Sequence, residues 1–282
     1  MRGQPGPVLT RCGVVGSPIA HSRSPVLHRA AYAALGLHGW SYDRAEVAAG
    51  ALAAHVAGLG PEWVGLSVTM PGKEEALALA DTAAEEAVLA GAANTLVTRD
   101  GGWYADNTDV YGLATALAEA GAVAPESALV VGGGATARSA VLALRTLGVQ
   151  QVRLLVRDRV RPETATLLER LELDSSVRRL DEGIPLGGGV DVVVGTLPPS
   201  APAPPVHLVG DRRPVVLDVA YEPWPSPLAA AVARAGGARV DVVRGTGMLL
   251  HQAVRQVELM TGRTAPVQAM AQALRADEGT PQ

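Results

Sequence analysis

The fold is decided by residues 128–137, which read ALVVGGGATA. The run of apolar residues from Ala128 predicts a buried strand, and the glycines that follow predict a tight turn. A helix is predicted from Thr136 to Leu147, ending at Gly148, and a second strand at Val152–Val156. The segment is therefore a β-α-β unit of the kind that builds parallel sheets.

Within this unit the spacing Gly132-x-Gly134-x-x-Ala137 matches the Rossmann dinucleotide fingerprint. Glycine permits the tight turn and lets backbone N–H groups approach a pyrophosphate, while the helix N-terminus favours negative charge. A purely structural glycine turn is the alternative. The predicted phosphate-binding residues are Gly132, Gly133, Gly134, Ala135 and Thr136.

The choice of cofactor depends on the residues after the second strand. Arg157 comes first, and Arg159 and Arg161 are close behind it. Arginine at this place favours the 2′-phosphate of NADP, whereas an acidic residue holds the ribose 2′-hydroxyl of NAD. NADP is therefore the favoured cofactor, and Asp158 keeps NAD open. The alternative is that these are solvated loop charges.

Composition excludes several classes of protein. The 282 residues carry a net charge of −4 and contain no basic run, so a nucleic-acid partner is not expected. No apolar run approaches the roughly 20 residues of a membrane span, and no signal-peptide core is present. The single cysteine, Cys12, is predicted to be a buried thiol, and no metal-ligand spacing is present. A soluble cytoplasmic protein is expected.

Lys73 is the only lysine, against 23 arginines. An ammonium group can give up its proton in a suitable environment, whereas a guanidinium group stays charged. A lone lysine in an arginine-rich chain therefore points to proton transfer, with a chance surface lysine as the alternative. The two asparagines of the chain, Asn94 and Asn107, lie in polar islands nearby in sequence, and Asp109 follows the second.

Six motifs, in order along the chain, resemble those of the shikimate dehydrogenase family. They are GSPIAHSRSP at 16–25, SVTMPGK at 67–73, the Asn94 segment, the Asn107-Thr108-Asp109 island, DVAYEP at 218–223 and GTGMLLHQ at 245–252. The likeness runs nearly end to end. It implies an α/β protein with two domains: an N-terminal α/β substrate domain and a Rossmann-type dinucleotide-binding domain, with a C-terminal helix returning to the first domain.

The expected boundaries follow from this resemblance and from the strand and helix pattern. Residues 1–112 would form the substrate-binding and catalytic domain, and residues 123–243 the NADP-binding domain. Residues 244–282 would be a C-terminal helical segment packing on the substrate domain. Within it a helix is predicted at about Met248–Thr261, followed by a frayed tail, so residues 270–282 are expected to be dispensable.

The resemblance also implies roles for individual residues. Lys73 and Asp109 would be catalytic, with Asp109 orienting the ammonium group; the alternative for Asp109 is an N-cap of a helix beginning at Val110. Ser24 is equally explained as the N-cap before Pro25. The implied substrate-binding residues are Ser22, Ser24, Thr69, Asn94, Asp109, Tyr221 and Gln252. Val219, Gly245 and Met248 would line the nicotinamide pocket.

The expected activity is the reversible NADPH-dependent reduction of 3-dehydroshikimate to shikimate, a step of chorismate biosynthesis. A lysine can supply the proton for a ketone oxygen while the cofactor supplies the hydride. Two alternatives stay open: a quinate/shikimate dehydrogenase that uses NAD, and a non-catalytic paralogue that binds shikimate or dinucleotide. The partner is a small molecule, with the chain a monomer or homodimer.

Overall fold

A computed structural model of the chain describes residues 9–237 and 240–279. It divides into two compact units: unit 1 runs up to Thr108 and resumes at Leu250, and unit 2 is Asp109–Leu249. Each has its own sheet and apolar core. In the part of the chain that is described, no helix combines the length and apolar character needed to cross a bilayer.

Unit 1 begins with alternating strands and helices. The first elements are β1 (Thr10–Gly16), α1 (Ser24–Ala34), β2 (Trp40–Glu46), α2 (Leu52–Ala57), β3 (Trp63–Val68) and α3 (Lys73–Leu79). They are followed by β4 (Thr82–Ala83), α4 (Glu85–Ala90), β5 (Thr95–Arg99), β6 (Gly102–Asp106) and the start of α5 (Thr108–Glu119).

The sheet of unit 1 has the order β2-β1-β3-β5-β6-β4. Strands β1, β2 and β3 are parallel, as the alternation of strands and helices predicted. Strand β5 runs antiparallel to both β3 and β6, so the sheet is mixed. The sequence analysis did not identify the hairpin of β5 and β6, although its tip is the Asp100-Gly101 turn, in which both residues have positive φ as in a typical two-residue hairpin loop.

Unit 2 contains the predicted β-α-β unit. Its elements are β7 (Ser127–Val131), α6 (Ala135–Thr146), β8 (Gln151–Val156), α7 (Pro162–Arg170), β9 (Asp174–Arg179), β10 (Ile184–Leu186) and β11 (Val192–Gly195). These are followed by β12 (Val206–Leu208), β13 (Val215–Asp218), α8 (Pro227–Gly236) and β14 (Val242–Arg244). The main sheet is parallel, in the order β14-β13-β11-β7-β8-β9, which is a doubly wound arrangement.

The valine-rich strands form the core of unit 2. Leu129, Val131, Val193 and Val216 are buried and pack with Leu228 and Val232 of α8. Strands covered on both faces by helices read as continuous apolar runs rather than alternating ones. This is why strands at residues 128–131, 152–156, 190–194 and 215–219 could be predicted from sequence to within a few residues.

Two further helices end the chain. Helix α9 (Thr246–Thr261) contains the predicted segment Met248–Thr261, and α10 (Val267–Glu278) follows it. The prediction of a frayed tail was wrong. Helix α10 packs against α1 with Met270 and Leu274 buried, and Asp277 pairs with the nearly buried Arg23 at 3.1 Å. Its apolar residues lie on one face at helical spacing, a signal that the surrounding polar residues obscured.

The end of the chain should therefore contribute to stability. Replacing Met270 with alanine removes a fully buried side chain and should lower the free energy of unfolding by about 2–5 kcal/mol. Gln272→Ala, at an exposed position of the same helix, is the control, with an expected change within about 0.5 kcal/mol. Urea unfolding measures both. Equal stability of the two variants, or unchanged stability after removal of residues 267–282, would mean that the end of the chain is dispensable after all.

Candidate functional site

The ends of β1 and β3 lie side by side in unit 1. The N–H group of Thr69 donates to the carbonyl of Val15 at 2.9 Å, and that of Ser17 donates to the carbonyl of Met70 at 2.9 Å. A side chain at Gly16 would collide with Thr69, so glycine permits this approach. The loop carrying Ser22 and the segment carrying Thr69 thus leave the sheet at adjacent points.

The Ser22 loop is fixed from outside by Arg44. The guanidinium group of Arg44, on β2, donates to the carbonyl oxygen of Ser22, with Nε at 2.9 Å. Ser22 itself is partly exposed, whereas Ser24 is buried at 6% exposure. Sequence reasoning missed Arg44, because nothing in the local pattern of β2 indicates that it reaches a loop 22 residues away.

The N-cap interpretation of Ser24 was wrong. Helix α1 begins at Ser24 itself, and Arg23 precedes it without a capping side-chain bond. The carbonyl of Arg23 already accepts the N–H group of Leu27 at 3.3 Å, so the first helical turn closes one residue earlier than predicted. The Ser24 hydroxyl instead lies within hydrogen-bonding reach of the Tyr42 phenol.

Lys73 is the first residue of α3 and is partly buried. Its carbonyl oxygen accepts the N–H group of Ala93 at 2.8 Å, and the N–H group of Val68 donates to the carbonyl of Asn94 at 2.7 Å. Thr69, Lys73 and Asn94 therefore belong to one hydrogen-bonded corner of unit 1. Residue scarcity had grouped Lys73 with Asn94, and the family resemblance had added Thr69 as a substrate-binding residue.

The carboxamide of Asn94 connects three elements. Its Oδ1 accepts the backbone N–H group of Thr108 at 2.9 Å, at the start of α5. Its Nδ2 donates to the Thr108 hydroxyl at 3.0 Å and to Oε1 of Gln252, on α9, at 3.4 Å. Asn94 and Gln252, predicted separately as substrate-binding residues, are thus adjacent.

Asp109 follows directly in α5. The interpretation of Asp109 as an N-cap was wrong, because α5 begins at Thr108 and places the aspartate in its first turn. The bond between Asn94 and the N–H group of Thr108 satisfies one of the N–H groups that a helix start leaves without a partner in the helix. Asp109 is 4% exposed.

A buried polar chain lies beneath these residues. The Tyr42 hydroxyl donates to Ser67 at 2.6 Å, Ser67 donates to Oε1 of Gln256 at 2.7 Å, and Nε2 of Gln256 donates to Thr95 at 3.0 Å. His28 stacks on Tyr42, with ring centroids 3.9 Å apart, and meets Gln256 at 3.3 Å. Sequence reasoning missed all five residues, which belong to five different elements.

Burial determines the ionisation of this chain. It lowers the pKa of His28 to about 3 and raises the pKa of Tyr42 far above its usual range, so both are neutral at physiological pH. Burial likewise raises the pKa of the Cys12 thiol to about 12, which confirms the prediction of a buried, inert cysteine. Within residues 9–237 and 240–279, no cluster of His, Cys, Asp or Glu is arranged to hold a metal ion.

In unit 2 the glycine turn has the geometry that the fingerprint requires. Gly132 has φ +127°, which disfavours any other residue, and its N–H group donates to the carbonyl of Leu155 at 2.8 Å. Gly134 precedes α6, and a side chain built there would meet no atom within 4 Å. The open space at a helix N-terminus fits the pyrophosphate of a dinucleotide.

The residues predicted to select the cofactor lie at an exposed strand end. Arg157 and Asp158 are exposed directly after β8, and in the parallel register Val156 pairs with Arg179 of β9. Hydrogen bonds to Asp181, assisted by the charge of Asp158, raise the pKa of Arg179. Sequence reasoning missed Arg179, which the neighbouring strand places beside the end of β8.

The remaining predicted cofactor residues follow β13 and β14. A side chain at Gly245 would collide with the backbone of Val219, so these two segments touch. The loop after β13 is held by Arg244, whose Nε donates to the carbonyl of Tyr221 at 2.8 Å. Met248 is buried near the start of α9.

The two units together have the architecture of a dinucleotide-dependent oxidoreductase: a doubly wound unit with a glycine turn, and an α/β unit carrying a lysine among polar residues. Family models agree. The shikimate dehydrogenase substrate binding domain matches residues 14–96, and the shikimate 5′-dehydrogenase C-terminal domain matches residues 245–275.

Individual relatives show the same likeness. Shikimate dehydrogenase (NADP(+)) of Cereibacter sphaeroides is 39% identical over 269 residues, covering 90% of this chain and 93% of the relative. Mycobacterium tuberculosis shikimate dehydrogenase is 46% identical with a TM-score of 0.78, covering 95% and 99%. The Thermus thermophilus enzyme, solved with NADP(H) and shikimate, is 29% identical with a TM-score of 0.80, covering 95% and 99%. The chain belongs to the shikimate dehydrogenase family, as the motifs predicted.

The neutral, buried state of His28 predicts a pH dependence of stability. In the unfolded chain the imidazole takes up a proton near its ordinary pKa of 6.5, but in the folded chain it does so only near 3. The unfolded state therefore binds more protons between these values, and stability falls as the pH falls, by at most about 1.4 kcal/mol per pH unit. Above the unfolded pKa this loss is absent.

Unfolding free energies measured from about pH 7 to about pH 4 check this dependence. His28→Phe keeps an aromatic ring against Tyr42 and should flatten the pH slope, although it costs the bond to Gln256. His38→Gln changes an exposed histidine and should leave the slope of the parent chain. A slope unaffected by His28→Phe would contradict the prediction.

Proposed function

We propose that this chain catalyses the reversible NADPH-dependent reduction of 3-dehydroshikimate to shikimate, in chorismate biosynthesis. The observation that carries the proposal is the corner of unit 1 in which a backbone hydrogen bond from Ala93 joins Lys73 to the Asn94 loop. Family membership and the solved relative with shikimate and NADP(H) support it. Action in the cytoplasm, as a monomer or homodimer, belongs to the same proposal.

Lys73 donates the proton during reduction. A ketone becomes an alcohol when hydride reaches its carbon and a proton reaches its oxygen, and the ammonium group is the proton donor in this corner. Since Lys73 opens α3, its backbone is held both by the helix and by the bond to Ala93. In the oxidation of shikimate the neutral amine takes the proton back from the hydroxyl.

Asp109 orients the reacting hydroxyl and the ammonium group. A carboxylate only accepts hydrogen bonds, so it can take one from the substrate hydroxyl and one from Lys73. Its position follows from the start of α5, because the preceding residue, Thr108, is bonded to Asn94 through its backbone and its hydroxyl. Asn94, Thr69 and Gln252 supply the mixed donors and acceptors that ring hydroxyls require.

The substrate carboxylate is bound by hydroxyl groups. Ser22 and Ser24 are the donors in unit 1. Arg44 adds a positive charge next to the Ser22 loop, since its guanidinium group is bonded to the carbonyl of Ser22. This charge favours an anionic substrate even where Arg44 makes no direct contact.

NADP would be held by the glycine turn of unit 2, and it supplies or accepts the hydride. The N–H groups of the turn Gly132–Thr136 would bind the pyrophosphate, and Arg157 would bind the 2′-phosphate. Val219, Gly245 and Met248 would line the nicotinamide pocket. Asp158 beside Arg157 is the feature that would permit some use of NAD.

The only lysine of the chain offers a sharp test. Lys73→Arg keeps the positive charge but cannot transfer a proton at neutral pH, so kcat for shikimate oxidation should fall about 10²–10⁴-fold. Lys73→Ala should lower kcat by a similar factor and should also weaken the binding of shikimate. Absorbance at 340 nm with shikimate or quinate, each with NADP⁺ or NAD⁺, gives these values. If Lys73→Arg turned over substrate as fast as the wild-type chain, Lys73 would not be the proton donor.

The same assay separates the rival functions. Equal rates with quinate or NAD⁺ would define a broader quinate/shikimate dehydrogenase. Absence of turnover in a folded chain that binds NADPH would define a non-catalytic binder.

Cofactor preference should depend on Arg157. Arg157→Ala removes the charge facing the 2′-phosphate and should raise KM for NADP⁺ about 10-fold or more, the effect of losing a charged hydrogen bond. KM for NAD⁺ should stay the same, because NAD⁺ has no 2′-phosphate. Arg159→Ala, two residues away, is the matched control. Equal effects of Arg157→Ala on the two cofactors would mean that another residue binds the phosphate.

A further inference from the structure

Arg179 is the last residue of β9 and lies beside the end of β8, because it pairs with Val156 in the parallel register. Residues paired in this way are about 4.8 Å apart and direct their side chains to the same face of the sheet. The Val156 side chain points to the glycine turn, since a side chain built at Gly133 would lie 3.1 Å from its Cγ1. Arg179 therefore belongs to the face of the sheet on which the glycine turn lies.

The guanidinium group of Arg179 is held by the carboxylate of Asp181. Nε of Arg179 donates to Oδ1 at 3.2 Å and to Oδ2 at 3.3 Å, and Nη2 donates to Oδ2 at 3.1 Å. A fork of N–H groups on two oxygens is also the arrangement in which arginine binds a phosphate group. Asp181 thus occupies the donors that a phosphate group would take.

The ion pair of Arg179 and Asp181 can be exchanged for another anion. Its two side chains are 57% and 68% exposed. Ion pairs this open to solvent contribute little to stability, so a phosphate group that carries more charge can displace the carboxylate. Asp158, which follows β8, adds a second negative charge that acts on Arg179. A 2′-phosphate bound to Arg157 would therefore lie next to a second arginine that acidic residues hold.

We propose that Arg179 is a second arginine for the 2′-phosphate of NADP and that Asp181 competes with this phosphate, so that the pair sets the preference for NADP over NAD. The inference rests on the use of NADP in the proposed function and adds two residues to Arg157, which the sequence predicted. NAD carries a neutral hydroxyl in place of the phosphate, and hydrogen bonds between two charged groups are the stronger ones. Only NADP can therefore displace Asp181.

Two neighbouring residues provide matched controls. Arg178 pairs with Leu155 and lies on the opposite face of the sheet, and it donates to Glu182 at 3.0 Å. Arg178→Ala removes the same charge as Arg179→Ala. Glu182→Gln removes the same charge as Asp181→Asn and keeps an oxygen for the backbone N–H group of Arg179. All four residues are exposed, so none of these variants should prevent folding.

Calorimetric titration with NADPH and with NADH gives the dissociation constants without requiring turnover. Arg179→Ala should raise Kd for NADPH about 10-fold, the effect of losing a charged hydrogen bond, and should change Kd for NADH less than about 2-fold. Asp181→Asn should lower Kd for NADPH about 2–5-fold, because the exposed ion pair that competes with the phosphate is gone. Arg178→Ala and Glu182→Gln should each change both constants less than about 2-fold, since solvent and salt screen exposed charges.

The double variant Arg179→Ala with Asp181→Asn separates competition from a general effect of charge. If Asp181 competes for Arg179, its removal should no longer tighten NADPH binding once the arginine is absent. The same tightening in both backgrounds overturns the proposal, as does an effect of Arg179→Ala that is no larger than that of Arg178→Ala or that is equal for NADH.

The failure of this proposal and the failure of the proposed function are distinguishable, because binding is measured apart from catalysis. A parent chain that binds NADPH with the expected dependence on Arg179 and Asp181 but does not oxidise shikimate would refute the proposed function alone. A parent chain that does not bind NADPH would overturn both.

Discussion

The carboxamide of Asn94 is the contact on which unit 1 depends. It joins the start of β5, the first turn of α5 and the middle of α9, and its bonds to Thr108 and Gln252 set where the next functional residues stand. A buried amide with all of its groups engaged is costly to rotate, because each orientation but one leaves N–H or C=O groups unpaired. The position of Asp109 follows from this constraint.

The return of α9 to unit 1 depends on a small residue in the sheet. A side chain on Gly65 of β3 would lie 2.6 Å from the Met260 side chain, so glycine leaves room for this methionine of α9 against the sheet. That approach brings Gln256 within reach of Ser67 and Asn94. The polar chain could not form on a helix held one side chain further away, because hydrogen bonds weaken steeply beyond their normal length.

Proton transfer and charge are assigned to different residues in this chain. Arginines anchor loops: Arg44 holds the Ser22 loop, Arg244 holds the Tyr221 loop, and Arg23 ties α1 to α10. The single lysine stands where we propose that a proton moves. This division explains why residue scarcity was informative, since guanidinium groups make these purely electrostatic contacts.

The β-α-β unit, the glycine turn and the lysine could be read directly from the chain. Apolar runs and glycine spacing are local signals, and the turn at Gly132 needs its residue type for local steric reasons. The hairpin of β5 and β6 and the helix α10 were not found. Helix α10 has only a weak apolar face among polar neighbours, whereas the Asp100-Gly101 turn was a local hairpin signal that was overlooked.

The sequence by itself determined the class of fold, the family and the residue types available for chemistry. Only the tertiary structure decided which of these residues meet, because Gln256, Thr95 and Asn94 lie up to 162 residues apart and share no local pattern. It also decided the ionisation of His28, which depends on burial rather than on neighbours in the chain. Local sterics act through adjacent residues, whereas burial and hydrogen-bond direction arise only once distant segments pack.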